Sequence, residues 1–347
     1  MLLCAGFYLR GFILTPRVAL VGAGSIADYH LAGLHAAGAP AVAVASRTLA
    51  AAQGVAGAHG VPEALDDWRR LLDRRNVDAV IVATPDATHR ELACAFLSAG
   101  KAVLLQKPMA PTAAEAVLIR DAARASGAVL EVSFMHRHFT EVVRASAMLA
   151  EGELGEVLSA RVRNATPGPD WTPWFWRRAG SGGVAAQIGV HGIDLVRHLL
   201  SPITSVAALG ARRVPVRTMR DGTRVESDVE DHVAAAYLLH GGAAVAHEMS
   251  FSDTGVTDRF AMEVHGARGT LAIRGPRGVL ALHQGGAWWD VAVPADEPGR
   301  RQHAEFLDIV AGRRPPSGSD ADGLAAQRVI EALAESVATG RRVEVPP

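Results

Sequence analysis

Gly22-Ala23-Gly24-Ser25-Ile26-Ala27 directly follows the apolar run Val18–Val21 and opens a helical stretch. Gly22 permits a tight turn, and Gly24 lets the backbone approach a pyrophosphate. Ala27 allows close packing of helix on strand, while the helix start at Ser25 and Ile26 faces phosphate charge. An ordinary glycine turn is the alternative, and the strand–turn–helix setting favours a dinucleotide. A second position lies at the end of the run Ala41–Ala45. An NAD site often carries an acidic residue there, on the ribose 2′-hydroxyl. Here Ser46 and Arg47 stand instead. A hydroxyl and a guanidinium suit a 2′-phosphate, which tips the expectation toward NADP over NAD. The alternative for Arg47 is stacking on adenine, or simple solvation.

Two further motifs end on strand termini, which line the ligand crevice of doubly wound sheets. Thr84-Pro85-Asp86-Ala87-Thr88-His89 follows Ala79–Ala83, and Gln106-Lys107-Pro108 follows Ala102–Leu105. The first also reads as a capped helix start, with Thr88 as N-cap and Glu91 closing a capping box. In the second, proline stiffens the backbone so that Lys107 can be aimed into the crevice. Further on, Gln187, His191 and Asp194 are spaced i, i+4, i+7 on a stretch, Ala185–Leu200, that reads as a helix. They share one face of an otherwise apolar helix. The alternative is a satisfied core histidine, with Asp194 bonded to His198 or Arg197 at the surface.

Elements must position these groups. Val18–Val21, Ala41–Ala45, Ala79–Ala83, Ala102–Leu105 and Val129–Val132 are near-continuous apolar runs, as parallel strands buried on both faces are. Helices are expected between them at Ile26–Ala37, Leu49–Ala58, Leu65–Arg74, Thr88–Ala99 and Thr112–Ala125. After a helix at Thr140–Ala150, strands follow with little helix between them, which reads as an open, mostly antiparallel sheet. Two helices, Arg301–Ala311 and Ala321–Thr339, close the chain. The fold class is therefore α/β. A Rossmann doubly wound parallel sheet spans 17–136, and an α+β domain, with those two helices included, spans 137–347. Met1–Pro16 reads as a disordered extension, or as residues upstream of the natural start.

Bulk properties narrow the partners. With 347 residues, 49% of them apolar, two domains are expected. A net charge of −1 gives no electrostatic footprint for nucleic acid. No apolar run is long enough to span a membrane. Cys4 and Cys94 are the only cysteines, which fits a reducing, cytoplasmic setting. No metal is expected.

Taken together, the glycine motif, Gln106-Lys107-Pro108 and Gly182-Gly183-Val184-Ala185-Ala186-Gln187-Ile188-Gly189-Val190-His191-Gly192-Ile193-Asp194 resemble the glucose–fructose oxidoreductase, inositol dehydrogenase and MocA family. The resemblance runs from Val18 to the C-terminus, and Trp176-Arg177 resembles the family's Trp-Arg. Gln106 departs from the family's Glu, and Gln187 from the first Asp of its helix motif. The resemblance implies an NAD(P)-dependent dehydrogenase or reductase acting on a sugar, polyol or related compound. It places Thr84, Pro85, His89, Gln106 and Lys107 at the cofactor, and Trp176, Arg177, His191 and Asp194 at the substrate. His191 would accept the hydroxyl proton, Lys107 would stabilise the alkoxide-like oxygen, and Gln187 would orient by hydrogen bonding alone. Trp171 and Trp174 join Trp176 as candidate pocket walls, against plain packing of a long loop. The resemblance also implies a homodimer or homotetramer, paired through the outer face of the second sheet. Transient oxidation by tightly bound NAD followed by elimination or hydrolysis, dinucleotide sensing without turnover, and a dimeric scaffold remain as other readings.

Overall fold

Strands that are apolar along their whole length need cover on both faces, and helices supply it here. The computed structural model describes residues 15–347 except Ala179, Val256, Thr257, Pro276, Arg277 and Asp296, together with the side chain of Pro298. Apart from Thr15 and Pro16, the expected N-terminal extension lies outside the described residues.

The first sheet has the order β3-β2-β1-β4-β5-β6, with every neighbouring pair parallel. Its strands are β1 (Val18–Val21), β2 (Ala43–Ala45), β3 (Ala64–Leu65), β4 (Ala79–Val82), β5 (Ala102–Gln106) and β6 (Leu130–Ser133). Helices α1 (Ala27–Ala36), α2 (Leu49–His59), α3 (His89–Ser98) and α4 (Ala113–Ser126) alternate with them. This is the dinucleotide-binding order, with the direction of winding reversing between β1 and β4. One expected helix is corrected. Leu65 belongs to β3, and only a single 3-10 turn, Trp68–Leu71, follows, started by the Asp67 carboxylate accepting from the Arg69 N–H at 3.0 Å. An aspartate bonding its own turn competes with a continuing helix.

From α5 (Thr140–Ala150) onward the chain builds a nine-stranded sheet of order β16-β15-β14-β13-β7-β12-β11-β8-β17. The strands are β7 (Val157–Ala165), β8 (Ile203–Ala211), β11 (His232–Leu239), β12 (Ala244–Ser250), β13 (Phe260–Gly266), β14 (Gly269–Gly275), β15 (Val279–Gln284), β16 (Ala287–Asp290) and β17 (Val343–Glu344). Among the described residues of this sheet, only β7 and β12 pair in parallel. A separate ribbon joins β9 (Val216–Thr218) to β10 (Arg224–Glu226). The strands β3, β9, β10 and β17 went unforeseen because two or three residues carry no measurable alternation.

The closing helices divide their packing. In α7 (Pro298–Val310), Phe306, Leu307 and Val310 join Leu31 and Leu34 of α1 in one apolar cluster, so this helix covers the parallel sheet. The helix α8 (Ser319–Thr339) bridges both sheets. Ser319 Oγ accepts from the Val132 N–H at 2.8 Å, and Ser336 Oγ accepts from the Ala208 N–H at 2.9 Å. Sequence order groups both helices with the second sheet, whereas the packing gives α7 to the first.

Burial keeps several imidazoles neutral. His89 is pushed down to about 4, and His247 to about 3, mainly by desolvation. In the unfolded chain these rings take up protons as pH falls below about 6.5, while in the fold they stay neutral to about 4 or lower. The unfolded state thus binds more protons in this window, and stability falls with falling pH. At pH 5 each such ring costs about 2 kcal/mol, from about 1.36 kcal/mol per pKa unit. The expected result is a thermal midpoint roughly 10 °C lower at pH 5 than at pH 7. A midpoint that stays flat across that range contradicts it.

Candidate active site

The first loop is shaped by a backbone conformation. Gly22 has φ +117°, and a Cβ added there would stand 2.2 Å from the Ala83 carbonyl oxygen. The Gly22 N–H is bonded to Ala45 O at 2.9 Å, so the turn is held between β2 and β4. At Gly24 an added Cβ would meet nothing within 4 Å, which leaves open space beside the backbone. Ser25 is exposed and Ile26 half-buried, and no side chain caps the start of α1. An uncapped helix start next to open space fits a pyrophosphate, because first-turn N–H groups favour an anion. At the end of β2, Arg47 is exposed, and Ser46 is anchored by its N–H to Leu65 O.

The loop after β4 does not form the expected capping box. The Thr88 hydroxyl donates to Pro85 O and contacts Thr84 Oγ1 at 2.7 Å, while Glu91 pairs outward with Arg69. His89 was expected at the cofactor, yet it is buried. Its ring nitrogens lie 3.0 Å from Pro108 O and 3.0 Å from Thr84 O. A neutral ring can donate to only one of these. His89 therefore fastens the loop after β4 to the loop after β5. Gln106 is likewise turned inward. Its Oε1 accepts from the Lys107 N–H at 2.9 Å, and its Nε2 lies 3.0 Å from His30 Nε2.

Lys107 crosses between the domains. Its Nζ donates to the backbone oxygen of Gln187 at 2.7 Å. Burial pushes this ammonium down to about 8. Asp86 opposes the shift and the Arg259 guanidinium adds to it. The element that receives Lys107 starts as a widened π turn, Ala185–Gly189, before α6 (Val190–Leu199). Such a turn inside a helix is frequent at functional sites. Two glycines let it lie directly on the sheet. A Cβ on Gly189 would stand 2.3 Å from Met249 Sδ, and one on Gly192 would stand 2.4 Å from Asn164 Oδ1. His191 therefore turns away from this contact face.

His191 is buried and stacks on His136, with ring centroids 4.0 Å apart and planes inclined by 8°. The Nδ1 atoms of both rings find no hydrogen-bond partner among the described residues. Desolvation, His136, Lys107 and Arg259 together hold the His191 imidazole well below its ordinary range. His136 is pushed down to about 3, chiefly by burial. Both shifts favour the neutral form of the two rings. Gln187, the side chain expected to orient the site, is buried and donates from Nε2 to Asp86 Oδ2 at 3.1 Å.

Asp194 is buried and held by the fork of Arg137, which also reaches Asp322; among the described residues it bonds neither His198 nor Arg197. Trp176 is 1% exposed, donates from Nε1 to Pro169 O at 3.0 Å, and lies under the Arg217 guanidinium. It is part of the loop's own core. Trp174 stacks on Phe175, whereas Trp171 and Arg177 are exposed. His136, Arg137 and Asp86 went unassigned from sequence. The signal available for the first two was their position directly after the last parallel strand, where the crevice opens.

Residues 16–134 match the model of the oxidoreductase family with NAD-binding Rossmann fold, and residues 142–272 match that of the GFO/IDH/MocA C-terminal domain. Inositol 2-dehydrogenase 4 of Saccharopolyspora erythraea is 30% identical over 341 residues, covering 95% of this chain and 95% of that protein. Levoglucosan dehydrogenase of Pseudarthrobacter phenanthrenivorans is 27% identical over 334 residues, covering 83% and 85%. Among solved structures, a levoglucosan dehydrogenase in complex with NADH and L-sorbose superposes with a TM-score of 0.89. The two are 24% identical, over 95% of this chain and 99% of that one.

Proposed function

Because the chain belongs to the GFO/IDH/MocA family of NAD-binding oxidoreductases, we propose that its cleft transfers a hydride between a nicotinamide cofactor and a carbinol or carbonyl carbon of a sugar or polyol. The observation that carries this reading is the 2.7 Å bond from Lys107 Nζ to Gln187 O. It joins the cofactor-side strand ends to the helix turn that carries His191. Similarity to inositol and levoglucosan dehydrogenases supports the substrate class.

With Gly22 making the turn, Gly24, Ser25 and Ile26 would hold the pyrophosphate on backbone N–H groups at the start of α1, and Thr84 and Pro85 would flank the nicotinamide half. The bound cofactor supplies the hydride acceptor or donor at the nicotinamide C4. Neutral His191 takes the hydroxyl proton as the carbinol is oxidised, as a positioned general base must be unprotonated to act. The Lys107 ammonium stabilises the alkoxide-like oxygen in a site where water is largely excluded. Gln187 fixes the local hydrogen bonding. The same reading puts pairing of copies on the outer face of the second sheet, where Leu209 is exposed.

Ser46 and Arg47 favour NADP(H). The test follows absorbance at 340 nm with NADP+ and NAD+ across inositols, anhydrosugars and aldoses, together with fluorescence titration of both reduced cofactors. Growth of the reduced-cofactor band is the expected result, and none with any pair contradicts the function. NADPH should bind at least as tightly as NADH. Arg47→Asp should reverse that order, because a carboxylate repels the 2′-phosphate. An NADH preference beyond about tenfold, or about 1.4 kcal/mol, overturns the cofactor assignment.

A further inference from the structure

The family's helix motif carries an aspartate where this chain has Gln187, yet the cleft still contains a buried carboxylate. Asp86, in the loop after β4, is 5% exposed. Its Oδ1 accepts from the Ala87 N–H at 3.1 Å, and its Oδ2 accepts from Gln187 Nε2 at 3.1 Å. Gln187 in turn receives the Lys107 ammonium on its backbone oxygen. One residue thus tethers a carboxylate by its side chain and an ammonium by its main chain. The other titratable groups that bear on Lys107 are His89 at the start of α3, His136 after β6, His191 on α6 and Arg259 before β13. Each is a neutral imidazole or a cation. Among the described residues Asp86 is the one acid that bears on Lys107, and a charge removed from water needs such a partner.

We propose that Asp86 is the positioning carboxylate of this site: the negative charge comes from the loop after β4 and not from the helix, Gln187 fixes it, and it keeps Lys107 an ammonium facing the reacting oxygen. This rests on the hydride-transfer reading for its chemistry, but not for its test. Burial raises the Asp86 carboxyl itself, against the Ala87 N–H and Lys107, which favour its charged form. The Gln187 amide is then the group that keeps the charged carboxylate in place.

Lys101 and Lys107 are the only lysines in the chain. Labelling the full-length protein with [13Cε]lysine therefore gives two side-chain resonances, assigned by the loss of one in Lys107→Arg. The Lys107 resonance should titrate near 8. Asp86→Asn should lower that midpoint by about one to three pKa units, the effect of removing an opposite charge at this range. The exchange Asp86→Asn with Gln187→Asp should restore most of the loss, and Lys101 should not move in either. Should the asparagine variant misfold, Asp86→Ser, which can still accept from the Ala87 N–H, replaces it. In turnover, the alkaline limb of kcat/KM should move by the same amount, while the Kd for NAD(P)H is unchanged. An unmoved Lys107 midpoint in Asp86→Asn, or an exchange that leaves the loss in full, overturns the proposal. Turnover that persists with an unmoved midpoint leaves hydride transfer standing without Asp86. A shifted midpoint in a chain that reduces no cofactor does the reverse.

Discussion

His191→Ala lowers kcat by roughly 10²–10⁴-fold, the usual contribution of a positioned general base. The Kd for NAD(P)H stays at the parental value, because His191 lies on α6, and the Gly22–Ile26 loop proposed to hold the pyrophosphate belongs to the parallel sheet. The stack on His136 sharpens this expectation. Both rings are held neutral by burial and by neighbouring cations, and both present an Nδ1 without a protein partner. His191→Phe, which keeps an aromatic face against His136, should be as slow as His191→Ala. That outcome separates loss of the proton acceptor from loss of packing. Lys107→Ala should slow turnover as well, and it removes the bond to Gln187 O, so nicotinamide affinity should weaken with it. A His191→Ala enzyme that keeps the parental kcat takes the ring out of the chemistry and leaves it a buried helix histidine.

The two glycines of the first loop separate folding from binding. In Gly22→Ala the methyl group collides with the Ala83 carbonyl, and the residue is forced to φ +117°. The two effects together cost about 3 kcal/mol or more. The thermal midpoint should fall by several degrees, and dinucleotide binding should be lost with the turn. In Gly24→Ala the methyl group meets nothing within 4 Å, so the midpoint should hold. It enters the space proposed for the pyrophosphate, however, and NAD(P)H affinity should fall at least tenfold, or about 1.4 kcal/mol. Calorimetry on both variants with and without cofactor reads the difference. A Gly24→Ala protein that binds at the parental Kd contradicts the placement of the pyrophosphate.

The parallel sheet was legible because strands such as Val18–Val21 and Ala79–Val82 are buried on both faces and therefore apolar throughout. The same rule misled at Leu65–Arg74, where Leu65, Trp68, Leu71 and Leu72 match a helical period. There a two-residue strand and a local aspartate bond decide the backbone. Lys107 and His191 were legible as members of motifs. Their surroundings were not, since the deciding contacts join residues far apart in the chain. Gln187 meets Asp86 across 101 positions, and Arg137 meets Asp194 across 57. No spacing within a single segment encodes such pairs. The inward turn of Gln106 was hidden for the same reason, because its partner His30 is itself fixed by His303 of α7, 2.9 Å away and 273 positions along. A polar residue at a strand end can face the cleft or the core, and only the packing of the last helices selects between them.

Central to this account is hydride transfer from a substrate carbon to the nicotinamide ring, and isotopic labelling tests it most directly. The full chain is incubated with NAD(P)+ and a polyol or sugar deuterated at each carbinol carbon, and the isolated cofactor is weighed by mass spectrometry. The predicted product is a reduced cofactor one deuterium heavier, labelled at C4, formed by the parent protein and reduced by roughly 10²–10⁴-fold in rate by His191→Ala. A reduced cofactor without the label, or none from any deuterated substrate in the panel, contradicts the account.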